Sequence, residues 1–93
     1  MEGSKMQEIY KRRLTSTEAE RYFVYIERDY WDKLSVIQGT LRIRFGKQEF
    51  DAKVDKQGRL FLGKFRDYIN LNKGSTIIFH KNPDGSFNVS IEE

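Results

Sequence analysis

Tyr30-Trp31-Asp32-Lys33-Leu34-Ser35-Val36-Ile37-Gln38-Gly39 and Phe65-Arg66-Asp67-Tyr68-Ile69-Asn70-Leu71-Asn72-Lys73-Gly74 lie over one another without a gap. Tyr30 falls on Phe65, Asp32 on Asp67, Leu34 on Ile69, Val36 on Leu71, Gln38 on Lys73 and Gly39 on Gly74. Ahead of each stretch stands a short apolar run, at 23–26 and at 60–62. Behind each stands a β-type run, at 41–45 and at 77–79, and then a second one that ends in Val54 and in Ile91. A repeat of this kind implies two copies of one supersecondary unit, neither able to bury its apolar face alone. The copies span 6–46 and 47–93 of a single barrel domain, 6–93, and residues 1–5, small and polar, read as a flexible leader.

The rest of the composition suits that reading. Ninety-three residues fit one domain, and seven Phe, five Tyr and one Trp supply large core pieces within a modest 38% apolar content. With no cysteine, disulfide scaffolds and thiolate chemistry are excluded. No apolar run approaches a membrane span and no signal-peptide core is present, so a soluble, cytoplasmic protein is expected. Lys, Arg and Glu outweigh Asn and Gln, a balance like that of thermophile proteins. The net charge is +3, and basic and acidic residues divide almost evenly between the two copies. Neither half is a basic module, so a nucleic-acid partner is permitted and not demanded.

Alternation places strands at 6–14, with Met6, Tyr10 and Leu14 on one face, and at 22–27, 40–45, 49–54 and 59–62. Residues 15–20 read as a polar loop in which Thr15 and Glu18 have the spacing of a helix cap. Short helices are expected at 29–36 and 64–69. The hairpin of 75–80 with 86–91 turns through Asn82-Pro83-Asp84-Gly85, where Pro fixes φ and Gly takes a positive one. Strands this many and this short cannot lie flat with long open edges. The expected fold is therefore mostly β: a closed six- to seven-stranded barrel of two ββαβ units related by a pseudo-two-fold axis, with two short helices. With both copies in one chain, a monomer is expected.

Val54-Asp55-Lys56-Gln57-Gly58-Arg59-Leu60-Phe61-Leu62, followed by Arg66, Leu71, Lys73-Gly74 and Ile77-x-Phe79, resembles the AbrB family of transcription factors. The resemblance covers residues 50–93, and the first copy echoes it more loosely. Two such units in one chain resemble the cradle-loop barrels, RIFT and double-psi, and above all the small archaeal RIFT-barrel proteins related to AbrB. The resemblance implies DNA binding through arginines, of which Arg59 and Arg66 are kept. Ala52 and Asp67 stand where the family carries others, and Gly63 where it has Pro.

Two functional classes follow. The first is a small nucleic-acid-binding module using Arg59, Arg66, the strand bases Arg42 and Arg44, and the run Lys11, Arg12 and Arg13, with Tyr22, Tyr25, Tyr30 and Trp31 as the pool of rings able to stack on bases. The second is a protein-interaction or small-ligand barrel that has lost the DNA surface. The same arginines also read as solvated strand faces and the same rings as core. An enzyme is not expected. The single histidine, His80, excludes a His-rich metal site, and no cofactor motif is present. The acidic residues Glu27, Asp29, Asp32 and Asp67 have the chemistry to hold a divalent ion, although carboxylates at a helix start more often serve its dipole.

Overall fold

The computed structural model describes residues 7–34 and 39–92. Its strands are β1 (Gln7–Arg13), β2 (Phe23–Tyr25), β3 (Thr40–Phe45), β4 (Gln48–Lys53), β5 (Arg59–Phe61), β6 (Thr76–Lys81) and β7 (Phe87–Glu92). Helix α1 (Ser16–Arg21) joins β1 to β2, and among the described residues 3₁₀ helices at Arg28–Tyr30 and Gly63–Phe65 follow β2 and β5. The expected leader, Met6 and the repeat positions at 35–38 lie outside the described residues.

Five strands form one sheet in the order β1-β6-β7-β3-β4, and β2 pairs with β5 in a separate two-stranded ribbon. The mostly β reading and the strand positions hold. Closure into a barrel is not seen in the hydrogen bonding: among the described residues no ladder joins β1 to β4, and a single bridge, Val54 with Leu60, ties the end of β4 to the ribbon. Within the bounds 6–46 and 47–93 each copy contributes strand, strand, 3₁₀ helix and strand, and β7, which the repeat aligns with β4, is one strand more. It pairs antiparallel with β6 and parallel with β3, which locks the two copies together at the centre of the sheet.

The repeat seen in the sequence is a repeat of hydrogen bonds. Tyr30 N–H donates to Glu27 O and Leu34 N–H to Tyr30 O, just as Phe65 N–H donates to Leu62 O and Ile69 N–H to Phe65 O. Each set opens with a 3₁₀ turn and closes with one four-residue bond; the second helix, Gly63–Phe65, is shorter than the one expected at 64–69, and residues 35–36 of the one expected at 29–36 lie outside the described residues. The segment expected as a loop at 15–20 instead forms α1. The Thr15 side chain accepts from Glu18 N–H, and Glu18 Oε1 accepts from Thr15 N–H at 3.0 Å, a complete capping box. Tyr22 ends this helix at φ 53°, the only non-glycine residue at positive φ among those described, so it is a cap and not the first residue of a strand.

One core lies between the sheet and the ribbon. Tyr10, Ile77, Phe79, Phe87, Val89, Leu41 and Ile43 supply the inner face of the sheet, and Val24 and Leu60, both fully buried, supply that of the ribbon. Burial of side chains this size is worth about 1.5–3 kcal/mol each. The Tyr10 hydroxyl fastens the two layers, donating to Tyr25 O at 2.8 Å and accepting from Glu27 N–H at 3.2 Å. Burial pushes this phenol up from its ordinary pKa, which keeps it a neutral donor.

Candidate functional site

In a three-residue strand the middle side chain faces one way and its neighbours the other. Val24 and Leu60 take the core, which turns Phe23 and Tyr25 of β2 and Arg59 and Phe61 of β5 to the outer face of the ribbon. Tyr25 is 38% exposed and Phe61 41%, while Phe23 is buried beneath them. The Phe23 ring centroid lies 5.8 Å from that of Tyr25, edge-on, and 6.2 Å from that of Phe61. The Arg59 guanidinium sits 5.9 Å from the Phe23 centroid and 5.8 Å from that of Phe61, within cation–π range of both.

Asp55 aims that guanidinium. It receives Arg59 Nε at 2.6 Å on one oxygen and the backbone N–H groups of Gln57 and Arg59, each at 2.9 Å, on the other. Desolvation raises its carboxyl, but these donors outweigh it and hold the group below the ordinary carboxylate range. The Asp55 to Gly58 turn expected from the sequence thus has a second role, as the mount for Arg59.

Arg12 approaches the same ribbon from β1. It projects from the opposite face of that strand to Lys11 and Arg13, and its Nε donates to Glu18 Oε2 at 2.7 Å. Glu18 is only 1% exposed and also accepts from Tyr25 N–H at 2.8 Å. Burial works against its charge, and the bonds from Arg12, Tyr25 and Thr15 overcome it, so the carboxyl stays below its usual range. Arg12 lies 5.7 Å from the Tyr25 centroid and 3.7 Å from Glu27 Oε2. Arg66 lies 4.6 Å over the ring of Tyr22, at the end of the ribbon where Leu62 N–H bonds Tyr22 O, and among the described residues it has no acidic partner.

The remaining expected bases are elsewhere. Arg42 and Arg44 point outward from β3 opposite Asp51 and Glu49 of β4. Arg44 binds Glu49 at 2.7 Å and Asp84 at 2.7 Å; Arg42 lies 3.3 Å from Glu49 and 3.5 Å from Asp51. Hydrogen bonds from the Ser86 hydroxyl and N–H, with Arg44 beside them, bring the Asp84 carboxyl down to about 2. Lys11 and Arg13 share that outward face but sit three strands away, with β6 and β7 between. No continuous basic stripe runs over the sheet. Asp29, Asp32 and Asp67 are exposed, and among the described residues no three acidic or imidazole side chains converge as metal ligands.

Two elements of this site were not read from the sequence. Phe61 stands in the apolar run at 60–62, yet alternation about Leu60 puts it beside the outward Arg59. The neutralisation of Arg42 and Arg44 also had a signal: a two-residue turn at Gly46 and Lys47 sets Arg44 against Glu49 and Arg42 against Asp51. Comparison of the chain with models of known protein families gives no match, and comparison with curated proteins gives none either.

Proposed function

We propose that the protein is a small binding module for single-stranded nucleic acid and that its working surface is the outer face of the β2–β5 ribbon. The observation that carries this reading is the exposure of Tyr25 and Phe61 beside the cations Arg59 and Arg12. Aromatic rings that stack bases, set among bases that follow the phosphates, are what sequence-tolerant single-strand binders use. Arg66, over the Tyr22 ring at one end of the ribbon and without an acidic partner among the described residues, adds a cation to that face. The resemblance to AbrB-type and cradle-loop barrel proteins is in keeping with a nucleic-acid partner, and the equivalent hydrogen bonds of the two copies support descent from a duplicated unit of that kind. We propose further that the sheet and ribbon are the walls of a barrel closed by packing through their common core.

Duplex DNA is the poorer fit. Arg42 and Arg44 on the sheet face are paired with Glu49, Asp51 and Asp84 much as Arg59 and Arg12 are paired with Asp55 and Glu18, but among the described residues no aromatic ring stands within cation–π range of them as the rings of the ribbon do. Fluorescence anisotropy with labelled single-stranded and duplex oligonucleotides of random sequence, at low and moderate salt, separates the readings. Preferential single-strand binding that weakens with salt is expected. No binding at about 100 μM protein in low salt, where non-specific binders associate, would leave the protein-interaction barrel in its place.

A further inference from the structure

Phe61 belongs to two surfaces at once. Its ring meets Phe23 and Arg59 on the ribbon, and it also walls a groove between β4 and β5, with Ala52, Lys53, Gly63, Lys64 and the backbone of Asp51. The groove holds about 410 Å³, toward the small end of the roughly 300–1,000 Å³ spanned by small-molecule sites. Its walls are predominantly apolar, and Lys53 and Lys64 are among the residues that line it.

Those charges are arranged asymmetrically. Lys64 Nζ reaches across to donate to Asp51 O at 3.3 Å, which leaves two of its three N–H donors without a partner among the described residues. Lys53 has no acidic partner among the described residues. The Asp51 carboxylate turns the other way, toward Arg42 at 3.5 Å. An apolar groove lined by two lysines suits a flat heterocycle joined to a phosphate.

Gly63 adds an independent observation. A Cβ placed there meets nothing within 4 Å, and its φ lies outside the left-handed region, so neither crowding nor backbone conformation requires glycine. Gly58 is the contrast, since a Cβ there falls 2.8 Å from Ile26 O. What a side chain at position 63 would occupy is the groove.

Resting on the single-strand reading above, we propose that this groove is a subsite for one unstacked nucleobase, with Lys53 and Lys64 holding the adjoining phosphate and Gly63 keeping the slot open. The strand would then pass from stacking on Tyr25 to insertion beside Phe61, with Phe61 common to both.

The test uses the full chain, followed by backbone amide NMR during titration with adenosine 5′-monophosphate, adenosine or inorganic phosphate, and by anisotropy with an eight-nucleotide oligothymidylate. The nucleotide is expected to move the amides of Ala52, Lys53, Phe61, Gly63 and Lys64 saturably, and phosphate alone only the two lysines. Gly63→Leu should abolish the nucleotide shifts and weaken the oligonucleotide about tenfold. If Gly63→Leu fails to fold, Lys53→Ala with Lys64→Ala should give the same losses. Oligonucleotide binding that is equal in wild type and variants, with groove amides unmoved by nucleotide, would overturn the subsite and leave the ribbon reading standing. Groove shifts from the nucleotide without any oligonucleotide binding would uphold the subsite, as one for free nucleotides, and overturn the ribbon reading. Silence in both measurements would overturn both.

Discussion

Tyr22 and Gly58 are equivalent residues: Leu62 N–H donates to Tyr22 O and Ile26 N–H to Gly58 O, each at 2.8 Å, and both residues have positive φ, 53° and 89°. The same offset of 36 carries Phe23 to Arg59, Val24 to Leu60 and Tyr25 to Phe61. The Val24–Leu60 pair therefore lies on the local two-fold axis, and the ribbon is the place where the two copies meet face to face. One copy reaches the left-handed conformation with glycine in a tight turn. The other reaches it with tyrosine at the end of α1, where the Tyr22 hydroxyl bonds Ile69 O at 3.1 Å and Arg66 covers the ring.

Gly58→Ala is predicted to be far costlier than its size suggests. A left-handed residue bearing a Cβ costs about 1–2 kcal/mol, and the added atom would also press on Ile26 O at 2.8 Å and the Trp31 ring at 3.1 Å. A loss on the order of 3 kcal/mol is expected. Urea unfolding read by Trp31 fluorescence will measure it, and a midpoint within error of wild type would show that the turn is not under this constraint.

Leu60→Ala removes a fully buried side chain on the axis itself. Such truncations cost about 2–5 kcal/mol. Val24→Ala, its cross-strand partner, should cost less than Leu60→Ala because fewer methyl groups are lost, and the double variant should cost less than the sum because the two share one cavity. Strict additivity would argue against their contact.

Glu18 makes stability depend on pH. Its folded carboxyl lies below the unfolded value of about 4.3, so the stabilisation is complete above that value and drains away as pH falls through the folded pKa. Glu18→Gln keeps the shape but loses the charge-assisted bond to Arg12, at a cost of about 2 kcal/mol at pH 7. Below the folded pKa the variant and wild type should converge. Denaturant midpoints from pH 7 down to pH 2 check this; a constant gap across the range would contradict it.

Much of the architecture was legible because it rests on local rules. Alternation placed β3 at its observed bounds, and Asn82-Pro83-Asp84-Gly85 marked the β6–β7 hairpin, since turn chemistry and period-2 patterns depend only on neighbours in sequence. Three features depended on distant partners. The capping box at Thr15 and Glu18 was visible, but that α1 would persist to Arg21 depends on Glu18 being buried against Arg12 and Tyr25. The parallel pairing of β7 with β3, which occupies the centre of the sheet, has no local signature. At the candidate site, Arg59 and Arg66 were found by motif, whereas the aromatic face that gives them a use required knowing which side of β5 meets the core.

A competition between two faces of the molecule tests the central claim most directly. Anisotropy titrations of a labelled single-stranded oligonucleotide should compare wild type with Tyr25→Ala/Phe61→Ala on the ribbon and Arg42→Ala/Arg44→Ala on the sheet. Base–aromatic stacking is worth about 1–3 kcal/mol per ring, so the ribbon variant should bind at least tenfold more weakly and the sheet variant within about twofold of wild type. Wild type, neutralising about three phosphates, should show a log–log salt slope near −2, and Arg66→Ala should flatten it by about 0.7. Full binding by the ribbon variant together with loss in the sheet variant would contradict the account and move the interface to β3.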